Sequence, residues 1–449
     1  MEGKKIPGPK NILFNKDVRL IKDRPLMFLE NMNKNFPGIT QIKALHLNIV
    51  IINDPKYIRL VLQTNQKQYV KSAIYNKLKL ILGEGLVTSE GDLWKRQRKL
   101  IQPSFHKQTI FNLFETMLAS TNDMIAEWKV VAKKDGKLDF SEEMMQVTLD
   151  IISKTMLGAE VKSEAKIIRN SLHFIGNEVN VKTKRIFDFP LWVPTSSNLK
   201  FKSERKVLDD IIYKIIGDRK KEGNTKGDLL DMLMMAKYED TGESMPPKLL
   251  RDEIMTVFTA GHSTTANALT WTFYLISQHP EVFKKLKKEV NDIVGNGEIT
   301  FQHLQQLKYT KACFNESMRL FPPVWIFGRK ALEDNWMGDY LIKKGTNVLI
   351  SPYIVHRSPE FWKDADKFEP NRWETEEVKE MDKFAYFPFA AGPRMCIGNN
   401  FALFEADIII AKVIQNFDFE YTGKSAPEVY PSTILRVKDG LPMKIKEIV

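Results

Sequence analysis

Apolar positions recur at the three- and four-residue spacing of a helix through most of the chain. This pattern predicts helices over residues 24–35, 55–64, 91–132, 141–180, 199–221, 247–278, 281–294, 305–320 and 399–416. Alternating or β-branched runs are short: 39–52, 325–329, 346–350 and the C-terminal tail. The expected fold class is therefore mainly α with small β-sheets (α+β). The run 247–278 exceeds an ordinary globular helix, with Pro247 suited to its first turn and Pro280 ending it. Midway, Thr259, Gly261, His262, Ser263, Thr264 and Thr265 break the apolar regularity. A hydroxyl can take the carbonyl four residues back, here Thr264 onto Ala260, which predicts local widening or bending.

A chain of 449 residues, 43% of them hydrophobic, can bury a large core. Length alone suggests two or three domains, but no internal repeat or low-complexity linker divides the chain. The stretch from Arg219 to Gly227 is the best candidate for an exposed loop. Cys313 and Cys396 are the only cysteines, so no disulfide framework is indicated and a reducing compartment is expected. The N-terminus carries no long apolar run, so neither a secretion signal nor a membrane-spanning segment is expected, and the chain reads as soluble and cytoplasmic. The formal charge is +11, but the basic residues are scattered and no nucleic-acid module is present. Gly83-Glu84-Gly85 lacks the third glycine of a dinucleotide loop, and no zinc-type H-E-x-x-H occurs.

The candidate chemistry lies near residue 396. Phe389, Gly392, Arg394 and Gly398 surround Cys396 in a glycine-bounded loop just before the 399–416 helix. A cysteine alone is most often a small buried hydrophobe, the reading adopted for Cys313. Here the sequence offers what a metal-bound thiolate needs, because a following helix N-terminus stabilises negative charge. Gly392 and Gly398 permit close approach to a flat cofactor, and Arg394 can pair with a carboxylate in a forked way. Elsewhere, Glu316 and Arg319 share a helix face, Arg372 follows in Phe368-Glu369-Pro370-Asn371-Arg372-Trp373, Trp94 and Arg98 sit at i and i+4, and Arg329 lies in a strand-like run.

The complete F-x-x-G-x-R-x-C-x-G spacing resembles the haem-binding loop of the cytochrome P-450 family. The resemblance covers the chain from about Pro7 to the C-terminus, with four motifs in the family's order. It implies a single haem domain over 1–449 with no fused reductase, and haem b (iron protoporphyrin IX) between the long central helix and the cysteine-loop helix. Cys396 corresponds to the iron ligand. Glu316, Arg319 and Arg372 correspond to a buried charged triad that scaffolds the loop. Trp94, Arg98, Arg329 and Arg394 correspond to partners of the haem propionates.

Gly261, Ser263 and Thr264 match the oxygen-binding groove A-G-x-(D/E)-T-T, with Thr264 at the position supporting dioxygen and the proton relay. Ser263 stands where an acid is usual, which puts proton delivery in question. The implied activity is monooxygenation of a small apolar substrate, by hydroxylation or O-dealkylation, in a monomer fed electrons by a ferredoxin or flavodoxin and its reductase. A peroxygenase or isomerase, or a non-catalytic haem carrier or sensor, stays open. So do fatty acid, terpenoid and methylated-sugar substrates. The expected pocket walls are the 70–90 and 165–195 segments, Val257 to Ala260 and Val324 to Phe327. The run Ile186 to Trp192 forms either an access lid or ordinary packing.

Overall fold

The computed structural model describes residues 3–10, 16–44, 47–161, 163–184, 189–223, 225–238 and 242–448. They fall into two compact bodies, Met1–Asn76 with Met318–Cys396, and Lys77–Ser317 with Ile397–Val449.

The first body is built on a five-stranded sheet. Its strands run Ile39–Ala44, Leu47–Ile52, Asn347–Ile350, Phe327–Ala331 and Tyr69–Lys71, in that spatial order. The first two form an antiparallel hairpin with Ile39 opposite Ile52. Leu47–Ile52 runs parallel to Asn347–Ile350, which pairs antiparallel with Phe327–Ala331. The β-branched residues that predicted strands supply the core: Val50, Ile52, Val348 and Ile350 are fully buried among Leu62, Phe327, Phe384 and Phe387. Ala390 and Ala391 pack against this core, so the start of the cysteine loop rests on the sheet.

The second body is helical, with small sheets at its C-terminal strands. Its longest helix, Pro247–Gln278 (the long helix), is unbroken and has Pro247 in its first turn. It runs without interruption through Gly261 to Thr265, where the sequence leads to an expectation of widening or bending. Trp128, Phe140, Phe273 and Phe419 meet as an aromatic cluster, with ring centroids 4.6 Å apart for Trp128–Phe140 and 5.4 Å for Phe140–Phe273. The Phe140–Phe273 pair is edge-to-face, an arrangement that contributes beyond its buried area.

Three expectations need correction. The single helix over 91–132 is divided into Gly91–Ile101, Lys107–Phe111 and Phe114–Ala132, with a short 3-10 turn, Gln102–Phe105, where Pro103 cannot donate to a continuing helix. The helix over 141–180 is two helices, Phe140–Leu157 and Ala165–Lys184, because Gly158 ends the first in the left-handed conformation. Arg219 does not belong to an exposed loop. It is buried inside the helix Ser196–Glu222, forked onto Asp228 at 2.6 and 2.9 Å and bonded to Asp231 and to the Leu157 carbonyl at 3.0 Å. Of the run considered as a lid, Ile186 to Asp188 lie outside the described residues. Phe189 and Trp192 are 64% and 78% exposed, which is not the burial of ordinary packing. Among the described residues, no helix is long and apolar enough to cross a membrane.

Candidate functional site

The loop carrying Cys396 is shaped by backbone bonds. The Ala390 N–H donates to the Phe387 carbonyl at 2.9 Å, and the Met395 N–H to the Gly392 carbonyl at 3.0 Å. The Cys396 N–H donates to the Phe389 carbonyl at 2.9 Å, which closes the loop on itself. Gly392 has φ of +71°, and a Cβ there would sit 1.9 Å from the Leu62 carbonyl oxygen, so no other residue fits. Ala390 also takes positive φ, +57°, a cost of about 1–2 kcal/mol for an L-residue that the surrounding packing sustains. The product is a presented thiol: Cys396 is exposed, whereas Cys313 is buried and burial pushes its thiol pKa well up. Neither forms a disulfide.

A histidine that the sequence reading passed over anchors this loop. His356 is fully buried, and its Nε2 accepts the Phe387 N–H at 3.0 Å. Accepting there requires the neutral ring. Burial, then the Arg319 and Arg357 charges, hold its pKa well below the usual value. Arg319 donates to the carbonyls of His356 at 2.8 Å, Ala365 at 2.6 Å and Lys367 at 3.0 Å. Arg372 reaches the Lys363 carbonyl at 2.7 Å. Both arginines thus gather the 356–367 stretch through its backbone. Glu316 is fully buried one turn before Arg319 on the helix Lys308–Leu320. Arg329 is buried in the sheet, its strand paired with Tyr69–Lys71 on one side and Asn347–Ile350 on the other.

In the second body, the middle of the long helix is bared. Ala260 is exposed, and Thr259, Gly261, Ser263 and Thr264 are partly so, within an otherwise buried helix. The Ser263 hydroxyl donates to the Thr259 carbonyl at 3.0 Å and Thr264 to Ala260 at 2.8 Å, the latter as the spacing predicts. Gly261 lies where the Phe140–Leu157 helix passes closest, and a Cβ there would fall 2.6 Å from Ile152 Cδ1. His262, beside Ser263, turns into that helix interface. It is buried, the Thr148 hydroxyl donates to its carbonyl at 3.2 Å, and burial pushes its pKa down to about 4.

Trp94 and Arg98 share the helix Gly91–Ile101, half-buried, with Arg98 Nε 3.3 Å from Gln102 Oε1. Gly398 caps the helix Asn399–Asn416 and takes the Ala402 N–H on its carbonyl at 2.9 Å. That helix carries Glu405, fully buried beside the Thr265 hydroxyl of the long helix, and burial pushes its carboxyl well above the usual range. The missed residues His356 and Glu405 gave no local signal. Their roles come from burial, which a single sequence does not display.

A mainly helical protein presenting one exposed thiol on a backbone-locked loop suits a haem-thiolate enzyme. A thiolate is a soft ligand for iron. A family profile described as Cytochrome P450 matches residues 6–445. Similar proteins include LUTEIN DEFICIENT 5, chloroplastic, of Arabidopsis thaliana, 30% identical over 430 residues, covering 91% of this chain and 72% of that protein. Cyclooctat-9-en-7-ol 5-monooxygenase of Streptomyces melanosporofaciens is 29% identical over 392 residues, covering 87% of this chain and 84% of that protein. Cyclooctatin synthase of the same organism is 30% identical over 401 residues, covering 88% and 85%. The chain belongs to the cytochrome P450 family. It is a haem-thiolate monooxygenase, and its cofactor is haem b.

His262 generates a pH prediction. Its pKa is about 4 folded against 6.5 for the free side chain, so the unfolded chain binds the extra proton. Its neutral burial therefore costs stability progressively as pH falls from 6.5 towards 4. Between pH 7 and pH 5 the unfolding free energy of His262→Leu should drop about 2 kcal/mol less than that of the parent. Urea titrations at the two pH values check this, and parallel losses would contradict it.

Proposed function

We propose that Cys396 is the thiolate ligand of the haem iron, and that Thr264 and Ser263 carry protons to the oxygen-binding face. The observation that carries this reading is the loop geometry. An exposed thiol held by the Phe389–Cys396 backbone bond, on a turn only Gly392 can make, is a sulfur fixed in place before any ligand arrives. Bound haem b supplies the activation of dioxygen and its transfer to substrate.

The chain's own residues orient and deliver. Arg394, Arg329, Arg98 and Trp94 offer cationic or neutral donors for the two propionates, because an uncompensated carboxylate near apolar surface is expensive. Phe389, Gly392 and Gly398 shape the loop, and Glu316, Arg319 and Arg372 hold the segment beneath it. Gly261 allows close helix packing behind the bared run. Ser263 and Thr264 each donate to a helix carbonyl and keep oxygen lone pairs for an incoming proton. Serine relays a proton but cannot supply one. His262 does not replace the missing acid, since it is neutral and turned into the helix interface. Protons then arrive from water through the two hydroxyls.

The substrate is a small, apolar organic molecule, hydroxylated or O-dealkylated. A fatty acid is one substrate that the resemblance of the helical motifs supports. One relative's name instead specifies position 5 of cyclooctat-9-en-7-ol, which favours a ring-bearing alcohol. A peroxygenase would need an arginine in the groove for a substrate carboxylate. None lies between Arg251 and Lys284, and Arg251 is engaged with Asp209, Asp252 and the Ile81 carbonyl. Residues 1–449 act as one haem domain in a cytoplasmic monomer, with electrons from a ferredoxin or flavodoxin and its reductase. The +11 balance suits an acidic donor.

Reduced protein under carbon monoxide should show the strongly red-shifted Soret band of thiolate ligation, and Cys396→Ala should lack it. A band at the position of nitrogen ligation in the parent would sink the assignment. Thr264→Ala should release more hydrogen peroxide per electron consumed, measured against NAD(P)H oxidation with a surrogate redox pair. Unchanged coupling would remove Thr264 from the relay.

A further inference from the structure

Three consecutive ionisable residues open the second turn of the long helix, Arg251, Asp252 and Glu253, and all three are buried. Each holds a different partner. The Arg251 guanidinium bonds Asp209 of the helix Ser196–Glu222 at 2.7 Å, the Ile81 carbonyl at 2.8 Å and Asp252 at 2.9 Å. Asp252 Oδ2 accepts the Glu84 N–H at 2.9 Å, and Glu253 Oε2 accepts the Leu86 N–H at 3.0 Å. The turn they hold is braced from its other side. The Gln97 amide donates to the Glu84 carbonyl at 2.7 Å, and the Thr88 hydroxyl to the Gly83 carbonyl at 2.6 Å.

The fit is close. A Cβ on Gly83 would lie 2.1 Å from the Asp252 carboxylate, and one on Gly85 2.1 Å from Thr256 Oγ1. The two glycines that fail as a dinucleotide loop are thus explained by their approach to the long helix. Val257 and Ala260 follow Thr256 within one turn of the same helix, and Ala260 is exposed.

We propose that Asp252 and Glu253 are positioning residues for substrate: they fix the 83–89 turn as a rigid wall beside the bared run of the long helix, and so set which apolar substrates fit. The proposal rests on the haem-thiolate reading above. A carboxylate is the suited partner for two backbone N–H groups in a buried place, since charge-assisted bonds are about twice as strong as neutral ones. A wall held this way is in place before substrate binds, which spares the ordering cost of a loop that closes on its ligand. Arg251 extends the same junction to the Ser196–Glu222 helix, so that helix and the 83–89 turn share one anchor.

The test uses two azoles on the ferric holoprotein. Imidazole can ligate the iron with no wall, whereas 1-dodecylimidazole also lays an apolar chain along it. Glu253→Ala should raise the dissociation constant for 1-dodecylimidazole about tenfold, read from the Soret shift, and leave imidazole within about twofold. Glu253→Gln keeps a neutral acceptor oxygen for the Leu86 N–H and should recover part of the loss, binding 1-dodecylimidazole more tightly than Glu253→Ala. Equal weakening of both azoles, no weakening of either, or a Gln variant as poor as Ala would overturn the proposal.

Amide exchange gives an arm that needs neither haem nor activity. In the unmodified protein the amides of Glu84 and Leu86 should exchange as slowly as those of the long helix, and Glu253→Ala should speed peptide 83–89 about tenfold. Fast exchange of that peptide in the parent would overturn the proposal even if the variant does not fold. An absent imidazole shift would count against the haem reading alone, and exchange would still decide this one.

Discussion

The Cys396 N–H to Phe389 carbonyl bond is the constraint on which the site depends. A cysteine on a mobile loop would meet metals and oxidants indiscriminately, and its thiol would cost entropy to place. Here the 387–396 segment is specified from below and within. His356 takes the Phe387 N–H, Ala390 and Ala391 rest on the sheet core, and Gly392 passes a carbonyl that no side chain could clear. Each of these supports is a backbone or packing contact. The positive φ of Ala390 is the local cost of that shape.

Burial of neutral titratable groups is the second theme. Burial pushes the pKa of His356 and His262 down and that of the Glu405 carboxyl up. In each case the buried surroundings favour the uncharged form. This matters for the long helix. Its middle stays a continuous helix although it carries several hydroxyls, of which those of Ser263, Thr264 and Thr265 donate to the carbonyl four residues back. The groove residues are bared within a continuous helix.

Much of this was legible in the chain, and the failures have physical causes. The long helix and its limiting prolines, the strand-forming run at 39–52 and the cysteine loop follow from periodicity and spacing, which are local. Helix continuity through Pro103 and Gly158 was misjudged because apolar spacing persists across both, while one missing donor and one left-handed glycine break the backbone. Arg219 read as part of a solvated basic run, although its partners, Asp228 and Asp231, stand only 9 and 12 residues on. His356 and the Arg251–Glu253 junction were out of reach for a different reason. Their partners lie 31 to 170 residues away, and nothing in a single sequence marks such pairs.

The central claim is that the sulfur of residue 396 is bonded to iron. Iron K-edge X-ray absorption on the purified ferric protein measures it most directly. One sulfur scatterer beside the four porphyrin nitrogens, absent in Cys396→Ser, is the result predicted. A first shell of nitrogen and oxygen alone in the parent would contradict it.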